Sequence, residues 1–495
     1  MLLSWDGPGR QGRLSMSSPA SQLPSLGGAF STLAASDWHP PSTPRREAEV
    51  ALPLSTIIEV DWQLVVALRR TAAEQIGLAS DRWREDRHAP MPPEDRRVQG
   101  RSIIRFVVHN HAERLSDLGE ALWPLELENR YSSAVENAIF GFGRLQPLFD
   151  IPTAENIEIH GWDSVMVQYG DGSRRPHPPV ADSDEELVDA IRFLGETAAA
   201  PRPFDDAHPS MTVALGDRFR LHAMGFSITH RPSIAIRQHI LTEVTLSDLA
   251  EDGILPQPLA RLLQSAVMAR KSIVISGDQG AGKTTLLRAL IAAIHPGERF
   301  GTIETDYELL THLQRGRRNV VALQARIGLG ESASGRDVGS WSVADLIPEA
   351  LRQNLSRLII GEVRGAEAGA MFEAMQTGAG TLSTTHSHSA RSTIDRLASR
   401  VAQGGVLTVE EAMRQIAHNI TFIVHINLED DSWRGGLRRR RVSEVRQLTG
   451  AIENGRPTTH LVYRAPTSLH GELFHPEAEM AAELAPFEVG PSWDQ

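Results

Sequence analysis

Gly277-Asp278-Gln279-Gly280-Ala281-Gly282-Lys283-Thr284 fits the spacing G-x-x-x-x-G-K-[ST], directly after the apolar run Ile273-Val274-Ile275 and before a helix-forming run from Leu286 to Ile294. A phosphate chain needs backbone N–H groups close on several sides, which glycine permits sterically, and a helix N-terminus aimed at its charge. Gly277, Gly280, Ala281 and Gly282 are the candidate cradle, with Thr285 beside them. Lys283 offers a compact charge for β and γ phosphates and Thr284 a hydroxyl for Mg2+. Only Lys271 and Lys283 among the 50 basic residues are lysines. A point charge is thus kept where a planar guanidinium would not fit, although coding bias alone would also make the chain arginine-rich.

Three other segments could act on the bound phosphates. Leu358-Ile359-Ile360-Gly361-Glu362 is an apolar strand ending in an acid, and Glu362 is the candidate general base that orients or deprotonates water. The alternative is a surface glutamate paired with Arg364. Glu304, Asp306 and Glu308 alternate after the apolar-leaning Phe300 to Ile303. On an extended segment they would share one face toward a metal-bound nucleotide, and without a cation or arginines they would repel one another. The β-branched run Thr381 to Thr385 ends in His386, whose imidazole could donate to a γ-phosphate, whereas His388 reads as solvated.

Strands must position these ends. Ser272–Ser276, Val320–Gln324, Leu358–Ile360 and Thr381–Thr385 alternate with helical stretches, which predicts crossover connections, a mostly parallel sheet and ligands at its carboxyl edge. Upstream, Ile157 and Ile159, then Val165, Val167 and Tyr169, alternate across a turn at Gly161-Trp162-Asp163. A helix over Glu185–Leu194 and strands over Phe219–Ala223 and Ser233–Arg237 complete an α+β region. Earlier still, Val65, Leu68, Ala72 and Ile76 behind a cap at Asp61 predict a helix, interrupted from Arg82 to Gly100, with helical patterns again at Ile103–Val108 and Ser133–Phe140.

The four chemical segments, in this order, resemble the type II/type IV secretion ATPases, most closely the CpaF-like branch serving Tad (Flp) pili. Gly361-Glu362-Val363-Arg364-Gly365 followed by Glu367, and the histidine box ending in His386, carry the likeness together with the glycine loop and the acidic box. Upstream, Gly143-Arg144-Leu145-Gln146-Pro147-Leu148-Phe149-Asp150 resembles the start of that family's N-terminal domain. The likeness spans about residues 55 to 465. It implies a P-loop (RecA-like) α/β ATPase domain, ATP and Mg2+, and a ring, expected to be a homo-hexamer, docked on inner-membrane pilus or secretion platform proteins. Arg220 and Arg237, on strands that otherwise suggest solvated salt bridges, would reach the phosphates. The acidic box departs from the family's Ile-Glu-Asp, because Thr305 follows Glu304, so Glu304 and Glu308 are the acids carried over, Glu304 toward Mg2+ through water.

Composition narrows the alternatives. The 495 residues are 41% hydrophobic with no cysteine, which excludes disulfides, zinc-thiolate and iron–sulfur sites and thiol nucleophiles. No apolar run is long enough to span a membrane, and no secretory signal is visible. A cytoplasmic protein, peripheral at the inner face of the membrane, is expected. The net charge is −12, and residues 471–495 hold six acids and no Lys or Arg. A body without basic excess argues against nucleic-acid coating. A DNA-stimulated translocase and a nucleotide-binding scaffold without turnover are the rival readings. Arg434 and Arg438 to Arg441 read as a solvated hairpin loop, or a patch for anionic lipid or nucleic acid. The expected organisation is a disordered tail (1–50), a helical extension (51–144), an α+β N-terminal domain (145–240), a linker with a short helix (241–254), the ATPase domain (255–470) and an acidic disordered tail (471–495).

Overall fold

The structure, a computed structural model, describes residues 60–488 apart from 199–200, 240–242, 315, 327–331, 334–335, 366, 377–379, 406, 435, 437 and 466–471. The tail expected over 1–50 lies outside the described residues.

Helix α1 (Trp62–Arg87) begins where the Asp61 carboxylate accepts the N–H groups of Gln63 and Leu64, and it buries Val65, Leu68, Ala72 and Ile76. The break that follows is shorter than the sequence suggests. His88 turns left-handed at φ 49°, and Pro93 opens α2 (Pro93–Asp117) at a position whose N–H would have no helical partner anyway. Gly100 lies inside α2, where a side chain would strike the Phe140 ring. α3 (Leu125–Phe140) closes this helical cluster around Val65, Val108 and Val135.

After the short α4 (Gln146–Phe149), β1 (Ala154–His160), β2 (Val165–Tyr169) and β3 (Arg174–His177) precede α5 (Asp184–Thr197). Ser183 caps α5, and three acids fill its first turn, where the helix dipole favours them. β4 (Ser210–Leu215), β5 (Phe219–Met224) and β6 (Ser233–Gln238) complete an antiparallel sheet ordered β3-β2-β1-β6-β5-β4. Its buried face packs Ile157, Ile159, Leu221 and Ile236 against Leu187, Ile191 and Leu194 of α5.

The second sheet holds the chemical segments. α6 (Leu246–Glu251) and α7 (Gln257–Met268) lead into β7 (Ile273–Gly277), α8 (Lys283–Ala292), β8 (Phe300–Glu304) and β9 (Val320–Gln324). The two-residue strands β10 (Ser332–Ala333) and β11 (Arg336–Asp337), α9 (Val343–Leu351), β12 (Arg357–Ile360), α10 (Glu367–Gln376) and β13 (Gly380–His386) follow. The remaining elements are α11 (Ala390–Gln403), α12 (Val409–Asn419), β14 (Phe422–Asp430), β15 (Arg438–Glu453), β16 (Arg456–Arg464), β17 (Glu472–Leu473) and α13 (Ala478–Leu484). Nine strands run in the order β17-β16-β15-β14-β7-β13-β12-β8-β9. β14, β7, β13, β12, β8 and β9 pair in parallel, and the β15–β17 edge is antiparallel. Ile273 and Ile275 face a core shared with α6–α8, while Val274 faces one built from α9–α12. Both faces are covered, as the near-continuous apolar strands require.

Two expectations are corrected. Of the tail expected over 471–495, the described residues 472–488 are not without structure: β17 and α13 occupy them, and Leu484 is fully buried in the core beside α7. Acidic composition concealed an apolar anchor every few residues. The arginine run is a solvated hairpin loop only at Arg434, which is exposed between β14 and β15; Arg438 to Arg441 instead form the first residues of β15 and pair with β14.

Candidate active site

β7 delivers Gly277 to the carboxyl edge of the sheet, where a Cβ would drive into the Ile426 carbonyl. The chain then turns through Gly280 (φ 76°) and Gly282 (φ 95°), conformations that glycine adopts without strain, into the N-terminus of α8. Lys283 folds back over the loop, and its Nζ donates to the carbonyls of Gly277 (3.0 Å) and Asp278 (2.8 Å) and lies 3.2 Å from His386 Nδ1. Burial lowers the Lys283 ammonium to about 8, although Glu362 and Asp278 pull it back upward. Ala281 is buried, while Thr284 and Thr285 face a cavity.

His386 ends β13 opposite Gly277 and links the loop to the next strand end. Its Nε2 lies 2.9 Å from Glu362 Oε1, and Arg364 donates to Glu362 Oε2 at 2.6 Å. Burial pushes the Glu362 carboxyl up, but His386 and Arg364 outweigh it and hold the group down at about 2. The Arg364 pairing considered from sequence is therefore present, between an Arg364 side chain that is 58% exposed and a largely buried Glu362. His388 is exposed, with its Nδ1 3.0 Å from Asp278 Oδ1.

The acidic box differs from an extended segment with one shared face. Glu304, at the end of β8, is 4% exposed, and its Oε1 accepts the N–H groups of Glu308 (3.0 Å) and Leu309 (2.9 Å), which makes it the clasp of a turn. Burial raises its carboxyl to about 7. Asp306 and Glu308 turn instead toward Arg220 on β5, at 3.1 and 3.0 Å. Burial alone would raise Glu308, but Arg237, His239 and Arg220 bring it below its ordinary value. The arginines needed to keep three acids together come from the other sheet.

Two cavities meet at Thr284. The larger, about 270 Å³, lies between Gly280, Gly282, Thr284 and Thr285 and the β6 end with Arg237, and it has an apolar flank from Leu249, Ile254 and Ile426. The smaller, about 40 Å³, is lined by Thr284, Glu304, Asp306, Glu308, Glu362 and Arg364. The first combines helix-terminal amides and cations with an apolar wall, which suits an anionic chain attached to an aromatic base. The second offers a hydroxyl and several carboxylates, the oxygen donors Mg2+ prefers. Among the described residues no group of three or more His, Asp or Glu could hold a metal by itself, so such an ion would depend on phosphate oxygens as well.

Of the site residues expected from sequence, Gly280, Gly282, Thr284, Thr285 and Arg237 line the larger cavity and Arg220, Glu304, Glu308 and Glu362 the smaller, whereas Gly277, Ala281, Lys283 and His386 line neither. Sequence reasoning missed Arg288 and Glu155, and it placed Arg440 in the arginine run without connecting it to this cavity. Arg288 is 3% exposed, lines the larger cavity and donates to the Glu308 carbonyl. Its place on the inner face of α8, five residues after Lys283, was the available signal.

The family described as type II/IV secretion system protein matches residues 184–429. Two relatives from Mycobacterium tuberculosis, named for conjugal transfer, are 30% identical over 332 residues, which cover 64% of this chain and 88% of theirs. The type IV secretion system protein PtlH of Bordetella pertussis is 36% identical over 136 residues, 27% of this chain and 38% of PtlH. Among solved structures, the ATPase DotB of Yersinia pseudotuberculosis aligns at 18% identity and a TM-score of 0.44, over 61% of this chain and 78% of DotB. The chain belongs to the type II/IV secretion system protein family.

Proposed function

We propose that this protein is a Mg2+-dependent ATPase with a P-loop (RecA-like) core, a motor that converts nucleotide-driven movement between its two sheets into pilus assembly or protein secretion. The observation that carries this reading is that Thr284, at one helix N-terminus, lines both cavities, that Glu304 and Glu362 bring separate strand ends to the smaller one, and that His386 links Glu362 to Lys283. Loop amides and Lys283 hold the phosphates, with Arg220 and Arg237 approaching from the N-terminal sheet. Glu362 is ionised at any working pH, so it orients and polarises the attacking water instead of removing a proton outright, which suffices for a loose phosphoryl-transfer transition state. His386 stands between Lys283 and Glu362, where it would register the γ-phosphate. Magnesium, held by Thr284 and by Glu304 directly or through water, would neutralise charge on the phosphate oxygens. Family membership and the order of the sequence boxes support a ring, taken as a hexamer, at inner-membrane platform proteins of the Tad type. Among the described residues no helix is long and apolar enough to cross a membrane, in keeping with peripheral docking.

Phosphate release by the purified chain, together with its size with and without a non-hydrolysable ATP analogue, tests the proposal. Lys283→Ala should abolish turnover while the protein still melts cooperatively, and the analogue should favour a hexamer. Turnover undiminished in Lys283→Ala would remove the assignment. The names of the mycobacterial relatives favour a second reading, a DNA-stimulated translocase, which the same assay separates by adding duplex DNA.

A further inference from the structure

The larger cavity contains a charge of the wrong sign for a phosphate site. Arg237, Arg288 and Arg440 line it, yet Glu155 of β1 lines it too. Glu155 is aimed there by a local irregularity: Ala154 pairs with Tyr169 and Asn156 with Gln168, so Glu155 is the extra residue of a bulge in the β1–β2 ladder. Its carboxylate takes both oxygens to Arg440 Nη2, at 2.7 and 3.0 Å, and one to Arg438 Nη1 at 3.3 Å. Arg440 in turn is fixed on the glycine loop, where its Nε donates to the Gly280 carbonyl at 2.9 Å and its Cδ lies 3.3 Å from where a Cβ on Gly282 would stand. One guanidinium thus rests on the loop and presents its remaining donors to the cavity, where a carboxylate meets them.

We infer that Arg440 contacts the polyphosphate of the bound nucleotide and that Glu155 is its place-holder, exchanged for phosphate oxygens when the nucleotide enters. This rests on the nucleotide-site reading above and extends it to a residue pair outside the four sequence boxes. A guanidinium fork accepts carboxylate and phosphate with the same geometry, so the exchange needs no rebuilding of the loop. Glu155 does not lose its partners altogether, because Arg438, whose side chain is only 8% exposed, stays beside it. While it holds Arg440, the Glu155 carboxylate competes with the incoming phosphate oxygens for the same donors. Glu155 therefore weakens nucleotide affinity and ties the N-terminal sheet to the loop most firmly when the site is empty.

Equilibrium binding of fluorescently labelled ADP to the full chain, with Mg2+ present, tests this. Glu155→Gln keeps the shape and removes the charge, and it should bind about fivefold tighter, whereas Arg440→Ala should bind about tenfold more weakly. The double variant should bind as weakly as Arg440→Ala, because without the guanidinium the carboxylate has nothing to compete for. Arg439 is exposed on the same strand and lines neither cavity, so Arg439→Ala should stay within about twofold of the parent, which separates a specific contact from general loss of positive charge. Should Arg440→Ala not fold, Arg440→Lys and the isosteric Glu155→Gln carry the test. Glu155→Gln binding no tighter than the parent, or Arg440→Ala binding as well as the parent, overturns the inference. If the parent fails to bind, or Lys283→Ala binds equally well, the nucleotide-site reading falls first and this one with it.

Discussion

Lys283 shows how a single residue couples burial to function. Its ammonium is held at about 8 by burial against the loop, and a phosphate chain interacts with the charged form. The pKa in the bound state therefore lies above 8, and binding draws a proton onto the lysine wherever the free site has lost it. The sign follows directly: affinity is flat below about pH 8 and falls above it, by up to about tenfold per pH unit. Titrating labelled ADP binding between about pH 7 and 9.5 checks this. Lys283→Arg, charged throughout, should lose the slope even if it binds less well. Glu304 and Glu362 show the complementary effect. They are carboxyls at neighbouring strand ends, yet one is raised to about 7 by burial and the other held at about 2 by His386 and Arg364. Environment, not residue type, gives them different tasks.

At the level of elements, the parallel strands act as a comb that delivers Gly277, Glu304, Glu362 and His386 to one edge. The register makes this specific: His386 lies opposite Gly277, and Ile360 opposite both Ile303 and Ser383. A slip of one residue would turn each of these side chains to the other face. The C-terminal helix α13 has a different task. Leu484 is fully buried among α7 residues such as Leu262 and Leu263, and Lys271 pairs with Glu483 beside it. Leu484→Ala should cost about 2–4 kcal/mol, read as a lower melting temperature. Nucleotide binding should be retained, because α13 lines neither cavity. Unchanged melting would mean that α13 does not contribute to the folded core.

For the whole molecule, charge distribution decides which partner class the body favours. Arg438 and Arg440, the basic residues best placed for a polyanion in the C-terminal run, are engaged with Glu155, and Arg441 with Glu429. The net charge of −12 adds no long-range attraction for nucleic acid. Duplex DNA at physiological salt should therefore leave phosphate release within about twofold of its basal rate. Strong, salt-sensitive stimulation would favour the translocase reading over the secretion motor. The ties between the sheets, Arg220 to Asp306 and Glu308 and Glu155 to Arg440, all converge on the cavities. Any ligand that replaces one partner changes how the sheets are held.

By itself the sequence determined the local features. Val65, Leu68, Ala72 and Ile76 marked a helix face, the alternation at Ile157 and Ile159 a strand, and the residues from Gly277 to Thr284 a turn that phosphate could enter. Each is encoded by neighbours a few positions apart, within reach of backbone sterics and hydrophobic periodicity. Only the tertiary structure decided what long-range packing controls. It buried Glu304 as a turn clasp, absorbed Arg438 to Arg441 into β15, ordered α13 within an acidic stretch, and brought Glu155 to Arg440 across 285 residues of chain. Local pattern carries no record of such partners, because a charge's role depends on which opposite charge the fold places beside it and how much water remains between them.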